Sequence, residues 1–555
     1  MNTVPSAAFA ASRPTVLGFD ASWDSLARLL FLAATLLVIA TFADYGITWD
    51  EDLHNLYGEL ILKYYTSGFT ELHATTWPDL TNYGGAFDMS AALLNLVSPF
   101  DTYETRHLLN ALVGILGVIG VWKLGRALAG PRAGFFAALF LLLTPNYYGQ
   151  MFNNPKDIPF AAGMVWGLYY LVLLLPELPR PRWSLLLRLG IAIGLTIGVR
   201  VGGLLLIGYL CLLLGLAGFW RALEQRSLRA LLGDAALSVA RVLLPVFLVA
   251  YIVMLPFWPY AQLDPIRNPF IALANFSHEI YPWTTLFDGR YVPATDLPWS
   301  YLPVHVSLAL PELVLTLLAA SLPAAVLVAR GRGWRLERAS TLAYFAIAFA
   351  VVFPIGYAIA IKAVLFDGMR HFIFVLPPIA ALAAAAMDRA LDLLRRFPYR
   401  RWAYGALALY GMGHVGIMGM LHPDEYVYFN GFIGGVEGAD GLFKTDYWAN
   451  SYAEAVIGLE EYLHAEYGND YMDHDFKVAV CGPPISAAFF FPPNFIFAWD
   501  RKDADFFIAF TKDNCQKELP GHEVYRVERM GVLLSVVLDR RAYLKATGPA
   551  SAAIR

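Results

Sequence analysis

Up to residue 421 the chain is a succession of long apolar runs separated by polar stretches. The runs lie at about 26–44, 106–128, 131–149, 156–175, 184–200, 201–220, 236–258, 303–329, 339–361, 371–394 and 401–421. Each approaches the roughly 20 apolar residues that a helix needs to cross a bilayer. They predict a mainly α fold, a polytopic membrane helical bundle of about eleven spans, with the fifth and sixth poorly separated. In the loop 45–105 the pattern changes. Leu53, Leu56, Leu60 and Tyr64 recur at helical spacing beside Tyr57 and Ile61, which predicts an amphipathic helix lying in the membrane surface. A second short helix is expected near 88–97, and Pro78, Gly84 and Gly85 break the chain between them. Beyond 421, residues 454–467 read as a helix, and 476–481, 495–499, 505–510, 523–528 and 531–538 read as strands. The expected organisation is an N-terminal segment 1–25, a transmembrane domain 26–421 with loops 45–105 and 259–302, and a small α/β domain 422–555.

Composition supports a lipid solvent. Hydrophobic residues make up 58% of the chain and charged ones only 15%, against about 25% in soluble proteins. The net charge of −4 gives no reason to expect nucleic acid as a partner. Basic residues are strongly segregated: Lys123, Arg126 and Arg132; Arg180, Arg182 and Arg188; Arg221, Arg226 and Arg229; Arg330, Arg332, Arg335 and Arg338; and Arg395, Arg396, Arg400 and Arg401. All fall on one side if the N-terminus is cytoplasmic. The loops 45–105, 145–156, 259–302 and 362–370 and the tail are then external. In a bacterial inner membrane they face the periplasm. The first 25 residues lack a strongly basic start and a convincing cleavage site, so the first run is read as a retained anchor. Cys211 reads as a small core residue. Cys481 and Cys515 share one exported domain; whether they pair is left open, because spacing does not fix the geometry.

The candidate chemistry begins at Thr48-Trp49-Asp50-Glu51-Asp52-Leu53-His54. Charge at the edge of the hydrocarbon region is expensive, so acids kept there are functional candidates. Part of the stretch has a structural reading. Thr48 as N-cap and Glu51 three residues on form a capping box, and first-turn acids suit the helix dipole. That accounts for Glu51 and partly for Asp50. It leaves His54, which lies on Asp50's face of the helix. The run 146–157 crowds amides around Lys156 and Asp157. Those two read either as a surface pair of little energetic weight or as the wall of a polar cavity. Arg200, Lys362, Arg370 and His371, with Arg290, are basic groups on the side that the charge rule leaves poor in Arg. A carboxylate or a phosphate would satisfy them equally well. The loop 259–302, with Trp258, Tyr260, Tyr281, Trp283, Tyr291, Trp299 and Tyr301, reads as an interfacial aromatic belt or as a lid of sugar-stacking faces.

These motifs resemble the GT-C class of integral-membrane glycosyltransferases, closest to the bacterial branch of protein O-mannosyltransferases and lipid A aminoarabinose transferases. The resemblance is carried by Trp49-Asp50-Glu51, Asn154-Pro155-Lys156-Asp157, Met369-Arg370-His371, the run from His422 to Asn430, Gly434-Gly435 and Asp446-Tyr447-Trp448. It implies a polyprenyl-phosphate-linked sugar as donor and a hydroxyl acceptor (lipid, glycan or protein), with membrane lipid around the enzyme. It also implies that Asp50 faces the acceptor as base, that Arg370 holds the lipid phosphate, and that Asp157 assists nearby. Glu51 joins the catalytic candidates. His54, Lys156, Arg200, Lys362 and His371 join Arg370 as candidate phosphate or substrate contacts. No cofactor is required, although a divalent metal between Asp50, His54 or Asp157 and the phosphate is an arrangement that these residues allow. The alternative is a transporter or flippase for a lipid-linked glycan, which would place ionisable groups deep in several helices, often in repeated halves.

Overall fold

The computed structural model describes residues 15–16, 19–20, 22–78, 80–278, 283–329 and 337–547. Most of the segment 1–25 lies outside these residues, as do Tyr281, Arg330, Arg332, Arg335 and the chain after 547. The chain is a multi-pass membrane protein. Eight of its described helices are long and apolar enough to cross a bilayer, running from Trp23–Asp44 to Arg400–Leu421. The other three expected spans take irregular forms. Tyr301–Ala309 and Glu312–Pro323 form one pair bent by 118°, while Pro131–Leu142 and Trp183–Ile197 are short. Many outward leucines, such as Leu29, Leu32 and Leu36 on the first helix, are exposed, as a lipid-facing surface requires.

Contacts sort the helix ends onto two faces. On one, Arg126 pairs with Asp24, Arg132 with Asp388 and Asp392, and Arg338 with Glu224. This is the arginine-rich face. On the other, Tyr45 donates to Glu425, Asn146 to the Tyr428 carbonyl and Trp258 to the Thr81 carbonyl. The C-terminal sheet sits on this second face. Alternation of the two sets along the chain agrees with the segregation of basic residues read from sequence.

Pro131–Leu142 spans only about 18 Å at 1.5 Å per residue. The crossing is completed by a second piece, Pro145–Asn153, all nine residues of which are buried. Residues 145–153, expected as part of an external loop whose amides wall a polar cavity, form a helix with its amides turned into protein. Polar groups persist at such a depth only where protein satisfies them. Here Asn153 donates to Asn450 at 2.7 Å and Asn154 to Gln150 at 2.8 Å.

Trp49–Thr66 and Ala86–Asn95 are the two surface helices. The apolar face of the first is not spread on lipid. Tyr57, Leu60, Ile61 and Tyr64 are buried with Ala74 and Leu80, and Leu53 is left exposed. Gly58 lets the two helices touch, because a side chain there would strike the Asp88 backbone. A second correction concerns Cys211, which is exposed on Leu204–Gln225 rather than in the core.

The C-terminal sheet has five strands, in the spatial order Phe495–Phe497, Phe476–Val480, Phe506–Phe510, Val532–Asp539, His522–Arg529. The first three are parallel and the last two pairings antiparallel. Every residue of Phe506–Phe510 is buried, as a central strand covered on both faces should be. The helix Tyr452–Tyr467 packs on the sheet through Tyr452, Val456, Leu459 and Leu463. A disulfide joins Cys481 to Cys515.

Candidate active site

The helix that carries Asp50 starts where the capping box was expected. Glu51 accepts from the Thr48 backbone N–H at 2.9 Å and lies 3.0 Å from His107 Nε2. Thr48 Oγ1 donates to the Asn153 carbonyl at 3.0 Å. These bonds fix the first turn against the buried amide helix, and they use up Glu51's carboxylate in doing so. Asp50, one residue earlier, is left to face the other way.

Asp50 meets two cations from distant parts of the chain. Its Oδ2 lies 2.7 Å from Arg370 Nη1 and 3.0 Å from Lys156 Nζ. Burial alone would raise its pKa. The charge of Arg370, then that of Lys156, outweighs burial and holds the carboxyl far below the usual carboxylate range. Lys156 is placed by the turn that ends the amide helix, and Arg370 by a 3-10 turn, Arg370–Val375, that opens the helix Leu376–Leu394. Arg370 is 3% exposed and packs between the rings of Phe366 and Trp448. Its Nε has no hydrogen-bond partner among the described residues, so part of the guanidinium fork is unused.

A second pair adjoins the first. Asp157 is buried in a close ion pair with Arg200 and also accepts from Asn154 Nδ2 at 3.1 Å. The ring of Tyr83 lies under both Lys156 and Arg200, each 5.8 Å from its centroid. On the far side of Arg370 stands Asp367, which has Lys512 Nζ at 3.4 Å, Lys444 Nζ at 3.9 Å and Arg370 Nη2 at 4.0 Å around it. Lys512 comes from the C-terminal domain and also lies 3.5 Å over the ring of Trp49, next to Asp50. Burial lowers the pKa of Lys512 to about 8, against the upward pull of Asp367.

Asp50, Lys156 and Arg370 thus come together directly, with Asp157 and Arg200 beside them through Lys156. His371 follows Arg370 with its ring edge-on to Phe366. Two expected contacts are not brought in. His54 points to Asp88 at 2.9 Å, and Arg106 holds the other oxygen of that carboxylate at 2.9 Å. That makes a buried triad between the first external loop and the spanning helix Thr102–Ala129. Lys362 is exposed and lies 3.6 Å from Asp296 at the surface. Arg290 is exposed on the hairpin formed by Thr284–Phe287 and Arg290–Pro293. Among the described residues, the one grouping of metal-type ligands is Cys481, Cys515 and Glu518, and its cysteines are bonded to each other. Asp50 already carries two cations, which suits the cluster to an anion rather than to a metal.

Sequence reading missed Asp367, Lys444, Lys512 and Tyr83. Their role depends on packing between segments far apart in sequence, and none carries a local signal. The aromatic loop 259–302 is neither wholly belt nor wholly lid. Trp258 is buried, while the hairpin docks on the C-terminal segment through Lys444 Nζ to the Thr284 carbonyl (3.0 Å) and Asn514 to Tyr291 (3.1 Å).

Residues 92–258 match the family described as dolichyl-phosphate-mannose-protein mannosyltransferase. The membrane core is similar to a glycosyltransferase family. The resemblance to GT-C membrane glycosyltransferases, drawn from short motifs, is met by this match across the first part of the bundle. Among solved structures, ArnT from Cupriavidus metallidurans in the apo state is 14% identical, with a TM-score of 0.48 over 93% of this chain and 98% of that one. The same protein bound to undecaprenyl phosphate gives 14% identity and a TM-score of 0.48, over 92% and 97%. The archaeal oligosaccharyltransferase AglB from Archaeoglobus fulgidus, in complex with an inhibitory peptide and a dolichol-phosphate, gives 12% and 0.47 over 88% and 69%. No curated protein matches the chain.

Proposed function

We propose that this protein is an inverting glycosyltransferase that moves a sugar from a polyprenyl-phosphate donor to a hydroxyl acceptor at the external face of a bacterial inner membrane. The observation that carries the reading is the charge balance around Asp50. Among the described residues, Lys156, Arg370, Lys444 and Lys512 are largely buried around two buried acids, Asp50 and Asp367. Asp513, the further acid near Lys444, is exposed. Buried charges are normally paired, so the surplus of cations favours an anionic ligand, and a lipid phosphate at the membrane boundary has the right charge and depth.

The pairing of Asp50 makes its chemistry depend on that ligand. While Arg370 and Lys156 hold it, Asp50 is a very weak base. A donor phosphate competes for both cations through the unused part of the Arg370 fork and so frees the carboxylate. The acceptor hydroxyl then attacks the anomeric carbon, and its proton passes to Asp50 as the new C–O bond forms. The bond from carbon to phosphate oxygen breaks, leaving the polyprenyl phosphate. The leaving group gains negative charge in the transition state, so fixed cations stabilise that state more than the bound ground state. The alternative of a flippase would spread ionisable groups along several helices, whereas this cluster gathers at one face.

The test is transfer of radiolabelled mannose from polyprenyl-phosphate mannose to membrane extract, using the full chain in lipid vesicles. Asp50→Asn should cost at least about 10²-fold in turnover, the lower end of general-base catalysis, with unfolding temperature nearly unchanged. Wild-type turnover in that variant would remove Asp50 as the base.

A further inference from the structure

Asp367 takes no proton and touches no phosphate in the chemistry above, yet it is 1% exposed. Neither carboxylate oxygen has a hydrogen-bond partner among the described residues. Its neighbouring cations stand at 3.4–4.0 Å, close enough to balance charge but not bonded to it. Leaving a buried acceptor without a donor is unfavourable, and most such groups have a partner. The turn that presents it is specific: Asp367 and Gly368 are both left-handed, with φ of 54° and 70°.

Asp367 is among the residues around a cavity of about 760 Å³ between the membrane domain and the C-terminal sheet. That volume lies within the range of small-molecule sites. Four aromatic residues line it, Trp49, Trp283, Phe366 and Phe510, among charged ones that include Lys444, Lys512, Lys517 and Glu518. Trp283 is half-exposed and meets Phe366 edge-on. A charge-balanced acid without a hydrogen-bond donor, beside aromatic faces, matches the two sides of a pyranose, whose hydroxyls donate and whose C–H face packs on rings.

We infer that this cavity is a pyranose subsite in which Asp367 accepts hydrogen bonds from two sugar hydroxyls while Trp283 packs on the ring. The placement beside Asp50 and Arg370 rests on the function proposed above; the binding of sugar does not. One chemistry has two sources here, the sugar of the donor or that of a glycan acceptor.

The experiment uses the full chain in nanodiscs and saturation-transfer NMR with methyl pyranosides of mannose, glucose and galactose as probes. Wild-type protein should transfer saturation to at least one of them. Asp367→Asn should weaken binding at least tenfold, Trp283→Ala should weaken it similarly, and Asp50→Asn should leave it intact although transfer is lost. No binding by wild type, or equal binding by Asp367→Asn and Trp283→Ala, overturns the inference. If Asp367→Asn does not fold, Trp283→Ala on its hairpin decides alone. In the transfer assay, a rise in donor KM alone assigns the site to the donor sugar and a rise in acceptor KM alone to the acceptor. Neither rising overturns it.

Discussion

Arg370 controls Asp50 in two opposed ways. It depresses the basicity of the carboxylate and, in the proposed reaction, binds the phosphate whose arrival relieves that depression. Arg370→Ala should therefore lower kcat/KM by about 10²–10³-fold, the scale seen when one charge-stabilising donor is lost. It should also shift the ascending limb of the pH–rate profile upward, because Asp50 then loses the larger of its two ion-pair partners and keeps Lys156. Arg370→Lys restores charge without the fork and should fall between. A lowered rate with an unmoved pH profile would break the link between the two residues. The triad of His54, Asp88 and Arg106 leads to a different expectation. Asp88→Ala leaves Arg106, 1% exposed, without its carboxylate, a change that costs about 3–5 kcal/mol. Thermal unfolding should report that loss while donor KM stays constant; a large KM change would mean that His54 reaches substrate after all. Asp50 and Arg370 were legible in sequence because each breaks a rule about charge near lipid. His54 was misread because helical spacing tells which face a residue shares but not what stands opposite. Asp88, thirty-four positions away, offered no local sign of being its partner.

Helices were legible wherever their burial is uniform, and less so where one element does two jobs. Asp157–Leu174 and Leu376–Leu394 follow their apolar runs closely. The crossing at 131–153 does not, because its second half buries amides where an apolar pattern is normally sought. The run from His422 to Asn430 was recognisable as a motif, and the structure shows what it fastens. Asn450 Nδ2 donates to Asp424 at 2.6 Å, Arg529 pairs with Asp424 at 2.9 Å, and Glu425 accepts from Tyr45. The sheet domain is thereby locked to the end of the first span. His422 adds a pH-dependent tie, lying 2.9 Å from both Glu425 and Asp44. Burial would lower its pKa, but the hydrogen bonds and charges of Glu425 and then Asp44 prevail and raise it to about 9. A histidine raised above its ordinary value near 6.5 stabilises the fold fully below that pH and loses the contribution as pH climbs through about 9. His422→Ala should thus melt earlier than wild type at pH 6, and the gap should close by pH 10. A gap that is constant across this range would show that packing, not charge, is what His422 supplies.

At the scale of the whole molecule, the structure divides the chain into two faces, and the disulfide offers a chemical test of which compartment each one meets. Cys481 and Cys515 pair across the rim of the pocket that contains Asp367. A bond of this kind persists in an oxidising space and is rare in the cytosol. The arginine-rich face carries the opposite signal, since clustered Lys and Arg are retained on the cytoplasmic side. Both arguments support the proposed orientation, in which the sheet, Asp50 and the proposed pyranose subsite face outside and the first helix enters from within. The remaining cysteine, Cys211, is exposed within a membrane-spanning helix, where thiolate-dependent reagents react poorly. Intact cells should therefore give protein that a membrane-impermeant maleimide of high mass leaves unshifted. After treatment with an impermeant reductant, the same reagent should add two labels, and both should vanish in the double variant Cys481→Ser, Cys515→Ser. Labelling that needs permeabilised cells would invert the topology, and with it the claim that the sugar is transferred at the outer surface. The double variant also measures what the bond adds to the fold. Its cysteines are 34 positions apart, and closing a loop of that order stabilises by about 2–4 kcal/mol. The loss should appear as earlier proteolysis of the sheet domain, with the bundle still intact.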